Sequence, residues 1–273
     1  MNKFSPIFDS ISTVLPAGLQ YVPQDNYYLA DLSVPETSLP VSYLYSDGAT
    51  SCIIVIVVGQ KKASEANTLV ALAHLSRQET FEAFFELVEQ RFFGEIALYA
   101  QGANPPEIND EIGDILTNEQ ILKTWVDKLA LSIPDQNLRV TQQILALGEG
   151  SPLAHNRDCL GIDLKTLQVN KQRLPVTEIH RDGQDGLQTL FSLFGQELQP
   201  PLMLRPANQL FTERQIIDLV TIAFHYNWID ILPMSDEEML HYFSTTPQYE
   251  VPWFCDALRQ SALYVKHHLH LIE

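Results

Sequence analysis

Cys52 and His74 have the types and spacing of a nucleophile and its base. They lie in two apolar runs, residues 52–58 and 68–75, each short enough for a strand and rich in Val, Ile, Leu or Ala. Both runs are apolar on both faces, which predicts strands in the middle of a sheet covered on its two sides. The polar segment 59–67 between them predicts a hairpin connection. A hairpin symmetric about residue 63 sets Cys52 directly opposite His74, with Cβ atoms roughly 4.5–5.5 Å apart. A thiol beside an imidazole can become a thiolate–imidazolium pair, the nucleophile of a cysteine amidase or protease. A one-residue slip in register puts the two side chains on opposite faces. The competing reading is a buried cysteine acting as a small hydrophobe, beside a histidine that satisfies a backbone group.

Composition narrows the setting of that chemistry. A chain of 273 residues allows one large domain, or one of about 150–190 residues with a smaller companion. The formal net charge of −17 argues against unaided binding of nucleic acid or an anionic membrane. Cys52, Cys159 and Cys255 are far apart, with no CxxC pair or Cys/His ligand cluster, so neither a disulfide framework nor structural zinc is expected. The chemistry calls for no cofactor and no metal. Residues 1–20 lack the continuous apolar core of a signal peptide. No run approaches the roughly 20 apolar residues of a membrane span. The expectation is a soluble protein of a reducing compartment, the cytoplasm, with no membrane insertion.

The elements that must position Cys52 and His74 follow in order. Residues 1–45 carry five prolines and short aromatic segments at 27–29 and 41–45, which predict short strands and turns. Residues 79–93 set Phe81, Phe84, Phe85, Val88 and Phe92 at helical spacing, with Gly94 as the stop. Residues 95–100 predict a strand running into Gln101-Gly102-Ala103, and 104–115 a loop. Thr117 and Gln120 have capping-box spacing ahead of a helix over 118–131. Residues 138–147 predict a strand, and 159–164 with 167–172 a hairpin. Residues 174–210 read as a connector, with one short helix at 187–194. Capping boxes at Thr212/Gln215 and Ser235/Glu238 open helices over 216–226 and 239–243, and 254–269 is a third amphipathic helix. The order predicts an α+β fold: a layered, β-sandwich-like core packed with two helices over 1–173, and a helical C-terminal region over 174–273.

A Cys on one strand and a His on the next, ahead of two helices, resembles the CheD family of chemoreceptor glutamine deamidases, over roughly residues 40–173. Ala49-Thr50-Ser51-Cys52 stands where the family has a Gly-Ser-Cys-type turn, and Leu72-Ala73-His74-Leu75 where it has its histidine strand. Segments 95–103, 138–150 and 161–166 fall in the family's order. The family's third position, a Thr six residues before the Cys, lands on Ser46. Thr50 replaces the usual turn glycine, the Cys-to-His spacing of 22 is long, and the tail after 174 has no counterpart in the family. Toxins with the same Cys–His core, such as cytotoxic necrotizing factor, are similar at this turn only loosely.

The resemblance implies a protein glutamine deamidase, a hydrolase that converts an exposed Gln of a partner protein to Glu. Cys52 is then the nucleophile and His74 the general acid and base. Ser46, by analogy with the family Thr, orients His74 or contributes a hydrogen bond; the competing reading is an ordinary residue of the Ser46-Asp47-Gly48 turn. The backbone N–H groups of Cys52, Ser51 and Thr50 are the candidate oxyanion donors, and Gln101 a candidate substrate contact. The same dyad serves a protease or a transglutaminase. The added tail suggests a substrate other than a chemoreceptor and a dedicated recognition module; by analogy, an effector or toxin acting on another cell's proteins fits the acidic chain without a cleavable leader. The alternative is a non-catalytic protein-binding module on the same fold, with the helical tail as its surface. In that tail, His267 and His270 are three apart on a predicted helix and could hold a metal, or form a solvated helix end. His155, His180, His225 and His241 have no companion pattern. The acidic pair Asp110-Glu111 reads as loop charge, and Asp236-Glu237-Glu238 as helix-start charge that offsets the dipole. Oligomeric state is not encoded in any of these features.

Overall fold

The computed structural model describes residues 14–33, 40–62, 64–104, 117–131, 138–148, 157–177, 186–187, 198, 202–244 and 247–272. Residues 188–194 of the expected helix at 187–194, residues 105–115 of the expected loop at 104–115 with Asp110-Glu111, and His155 and His180 lie outside them. The fold is α+β, and the chain divides into two compact units, Met1–Pro175 and Val176–Glu273. Among the described residues no helix is long and apolar enough to cross a membrane.

The first unit is built on strands β1 (Leu19–Tyr21), β2 (Asn26–Asp31), β3 (Tyr43–Ser46), β4 (Ile53–Lys61), β5 (Ser64–Leu75), β6 (Phe92–Gly102), β7 (Leu138–Leu147), β8 (Leu160–Asp163) and β9 (Val169–Asn170), with helices α1 (Gln78–Arg91) and α2 (Asn118–Ala130). One sheet runs β1-β3-β8-β9; in the other, β2, β5, β4, β6 and β7 are neighbours in that order. Strand β4 is central, and Ile53 to Val58 are buried on both of its faces. Two different layers provide that cover. Helices α1 and α2 pack together, Phe85 stacking on Trp125 at 5.1 Å, and form the crossovers from β5 to β6 and from β6 to the parallel β7. Right-handed crossovers running in one direction put both helices on one face. The smaller sheet covers the other, where Ser46 of β3 reaches His74 of β5.

Local chemistry sets the ends of these elements. The Phe81, Phe84, Phe85 and Val88 stripe of α1 is buried as its spacing requires. Phe92, expected as the last turn of that helix, instead starts β6. Gly94, with φ +72°, lies inside that strand rather than capping the helix. It sits where the β4–β6 register slips between Val58 and Gln60, an irregularity that admits left-handed backbone. Helix α2 carries the full capping box, with Gln120 N–H donating to Thr117 Oγ1 and Thr117 N–H to Gln120 Oε1, both at 3.2 Å.

The β4–β5 hairpin departs from the symmetric expectation. The strands run on through the polar segment, β4 to Lys61 and β5 from Ser64. Lys61 pairs with Ser64 but Gln60 with Thr68, so an irregularity absorbs residues 65–67 of β5. Beyond it Ile54, not Cys52, stands opposite His74. The correction moves Cys52 by two positions. Strand β4 begins at Ile53; the period-2 alternation of side chains, continued one residue back from it, sets Cys52 on the face of His74.

The second unit holds α3 (Glu213–His225), α4 (Asp236–Phe243) and α5 (Phe254–His268), with short 3₁₀ turns at Trp228–Ile231, Pro247–Tyr249 and Leu269–Leu271. Both expected capping boxes are made, by Thr212 with Gln215 and Ser235 with Glu238. The core gathers Leu219, Val220, Met239, Leu258, Ala262 and Val265 around Trp228. The indole N–H of Trp228 donates to Ser261 Oγ at 2.9 Å, and its ring meets Phe243 edge-on at 5.3 Å.

Candidate active site

The site lies at one end of the larger sheet, on the face turned to β3. Across the strands, Asn26, His74, Ile54, Gln101 and Ala146 form one cross-strand row. Cys52 immediately precedes Ile53, which pairs with Leu75 and Gly102. It therefore lies one step beyond the row, diagonal to His74 on one side and to Gln101 on the other. Diagonal neighbours are about 7–8 Å apart, somewhat less between Cβ atoms. That is within reach of an imidazole or a carboxamide. His74, Gln101, Asn26 and Ser46 are buried, and Cys52 is 7 % exposed.

Ser46 settles which ring nitrogen of His74 is basic. Its hydroxyl donates its one hydrogen to Val22 C=O at 2.7 Å. At 2.9 Å from His74 Nδ1 the same oxygen must then accept, so Nδ1 carries the hydrogen and Nε2 holds the lone pair. Ser46→Ala takes away this acceptor, leaves Val22 C=O buried without its donor, and is expected to cost about 1–3 kcal/mol. It should also shift the His74 tautomer, which a long-range ¹H–¹⁵N spectrum reads directly. Ser46→Thr should keep the wild-type pattern.

The strand carrying His74 is held in turn. Asp25, at φ +55°, donates its N–H to His74 C=O at 2.7 Å. Its carboxylate accepts from Ser76 Oγ–H at 2.7 and 2.8 Å and from Ser76 N–H at 3.2 Å.

The turn before Cys52 is fixed through its backbone. Ala49 N–H donates to Asp158 C=O at 3.1 Å, Asn104 N–H to Thr50 C=O at 2.6 Å, and Ala103 N–H to Cys52 C=O at 2.9 Å. Thr50 N–H donates to Gly48 C=O at 2.9 Å. That bond engages the N–H of Thr50, one of the three expected oxyanion donors, inside the turn. Thr50 is not among the positive-φ residues; the left-handed position is Gly48, at φ +72°. This turn therefore has no need of a glycine at 50.

Under this turn lies a second buried polar group. Asp158 pairs with Arg173, and Tyr21 O–H donates to Asp47 Oδ1 at 3.0 Å. Burial pushes the Asp158 carboxyl above the usual carboxylate range, Arg173 pulls it back, and Asp47 adds to the rise. Burial also holds the thiols of Cys159 and Cys255 above their ordinary value. None of the three cysteines is in a disulfide.

Two residues beyond the sequence reading belong to this site. Gly102 lies against the turn, where an added Cβ would stand 2.2 Å from Cys52 O. Asn118, the first residue of α2, donates from Nδ2 to both Ser51 C=O and Ser76 C=O, each at 2.9 Å. Asn118 had a signal in the sequence: a poor helix former in the first turn of a helix already capped by Thr117. Gly102 had none beyond being a glycine in a strand.

The tail histidines are engaged locally, His268 Nδ1 with Tyr264 C=O at 2.7 Å and His270 Nδ1 with His267 C=O at 3.1 Å. Among the described residues no three His, Cys, Asp or Glu side chains gather as a metal site. No protein-family model and no curated protein sequence matches the chain.

Proposed function

We propose that the first unit is a cysteine amidohydrolase of the CheD-like type, acting as a protein glutamine deamidase. The observation that carries this reading is the Ser46–His74 pair. It leaves Nε2 as the basic nitrogen on the face that His74 shares with Cys52. In the reaction the Cys52 thiol passes its proton to His74, and the thiolate attacks the carboxamide carbon of a glutamine side chain. The resulting oxyanion is held by the N–H groups of Cys52 and Ser51. Collapse breaks the C–N bond, and ammonia leaves with the proton from His74. Water then gives a proton to His74 and attacks the thioester, and the C–S bond breaks to leave glutamate and the thiol. A cysteine only 7 % exposed favours a slender side chain over a main-chain segment, hence deamidation over proteolysis. Gln101, diagonal to Cys52, is placed to contact the carboxamide. The substrate is a protein with an exposed glutamine, and cysteines held outside disulfides suit the cytoplasm.

The test is the pH dependence of iodoacetamide labelling at Cys52, followed by mass spectrometry in wild type and His74→Ala. The expected result is a thiol pKa well below about 8.5 that rises when His74 is removed. Glutamine-to-glutamate mass shifts in candidate proteins follow from that result. An unreactive Cys52, or one indifferent to His74, would sink the enzyme reading. Function would then pass to protein binding by the helical second unit, where Leu210, Phe224 and Tyr242 are exposed.

A further inference from the structure

Asn118 has no capping work to do. Thr117 is the N-cap of α2, and its box with Gln120 is complete. Asn118 instead uses Nδ2 to join two segments distant in sequence: Ser51 C=O, immediately before the nucleophile, and Ser76 C=O, two residues after the base. A peptide group is planar and trans, so its C=O and N–H point in opposite directions. Holding Ser51 C=O therefore fixes the direction of Cys52 N–H. The neighbouring carbonyls are held as well, Thr50 by Asn104 N–H and Cys52 by Ala103 N–H. These two bonds come from one backbone segment, residues 103–104. Only the Ser51 carbonyl is held by a side chain from the helix layer.

We propose that Asn118 is a positioning residue for the oxyanion hole, locking the Ser51–Cys52 peptide so that Cys52 N–H stays aimed at the developing oxyanion. The proposal rests on the amidase reading. Two probes of Cys52 separate its parts. With iodoacetamide the thiolate attacks the CH₂ carbon and iodide leaves, with no tetrahedral oxyanion, so the reaction reports the thiolate alone. With p-nitrophenyl acetate the thiolate adds to the acetyl carbonyl. An oxyanion forms, p-nitrophenolate leaves with the bonding electrons, and the acetyl group remains on sulfur. Acylation of Cys52 is read by mass spectrometry, with Cys52→Ser as blank.

Asn118→Ala is expected to slow acylation about 10- to 100-fold, since a misaimed donor approaches the effect of a missing one. The iodoacetamide rate and its pH profile should stay within about two-fold of wild type; an unfolded chain would lose that profile. Thr117→Ala is the control. It weakens the same helix by removing its cap but leaves both Asn118 bonds, so it should match Asn118→Ala in stability without the acylation loss. Three outcomes overturn the proposal: unchanged acylation in Asn118→Ala, equal loss with both probes, or equal acylation loss in Thr117→Ala. A wild-type Cys52 whose labelling ignores His74 overturns the amidase reading itself, and this proposal with it.

Discussion

Gly102→Ala is expected to destabilise the first unit by about 2–6 kcal/mol. Two costs act at one residue. Its φ is +134°, a conformation that L side chains rarely adopt, and a strained backbone costs roughly 1–3 kcal/mol. The new Cβ would also lie 2.2 Å from Cys52 O and 3.0 Å from Ile53 Cα. Those neighbours are backbone and cannot rotate away, and overpacking costs a further ~1–3 kcal/mol. Urea unfolding should show the loss as a lower midpoint with an unchanged slope. The displaced atom is the carbonyl oxygen of Cys52 itself, so under the proposed reaction molecules that do fold should also acylate more slowly at Cys52. A loss under about 1 kcal/mol would mean that strands β4 and β6 do not approach this closely.

Arg173→Met is the other large effect, and it depends on pH. Removing one partner of a buried ion pair costs roughly 3–5 kcal/mol; because the Arg173 side chain is 30 % exposed and partly screened, a loss below that range, about 2–3 kcal/mol, is expected at neutral pH. The sign with pH follows from Asp158. Its folded pKa is already raised, by burial first and by Asp47, against the pull of Arg173 and Arg157. A carboxyl whose folded pKa exceeds its unfolded value favours the fold when protonated, and that favour is lost as pH rises through the folded pKa. Without Arg173 the pKa rises further. The deficit of the variant should therefore be widest near neutral pH and shrink as pH falls toward and below the raised value. Denaturant midpoints at several pH values check it. A deficit that grew on acidification would contradict the assignment. The consequence extends to the candidate site, because Asp158 C=O holds Ala49 N–H at the start of the turn that precedes Cys52.

What was legible in the sequence is local. The apolar run of β4 announced a strand buried on both faces, the phenylalanine stripe of α1 a helix face, and the capping boxes at Thr117, Thr212 and Ser235 the starts of three helices. Each of these signals sits within a few residues of the feature it predicts. They sufficed for the α+β class. Nearness of Cys52 to His74 was legible only to within two positions. Periodicity states which face a side chain takes, but it does not count residues lost to a bulge, and residues 65–67 shifted the pairing.

The remainder belongs to tertiary structure. The tautomer of His74 is decided by Val22 and Ser46, which come from outside the hairpin. The N–H of Thr50, one of the expected oxyanion donors, is folded back on Gly48 by the turn. The requirement for glycine at 102 comes from the backbone of a neighbouring strand. Asn118 meets Ser51 and Ser76 across separations of 67 and 42 residues. Residue type and spacing alone determined the class of fold and a Cys and a His at one end of one sheet, because propensity, capping and alternation act over a turn or two of chain. Which atoms face one another, and in which protonation state, was decided only when the layers closed over that end.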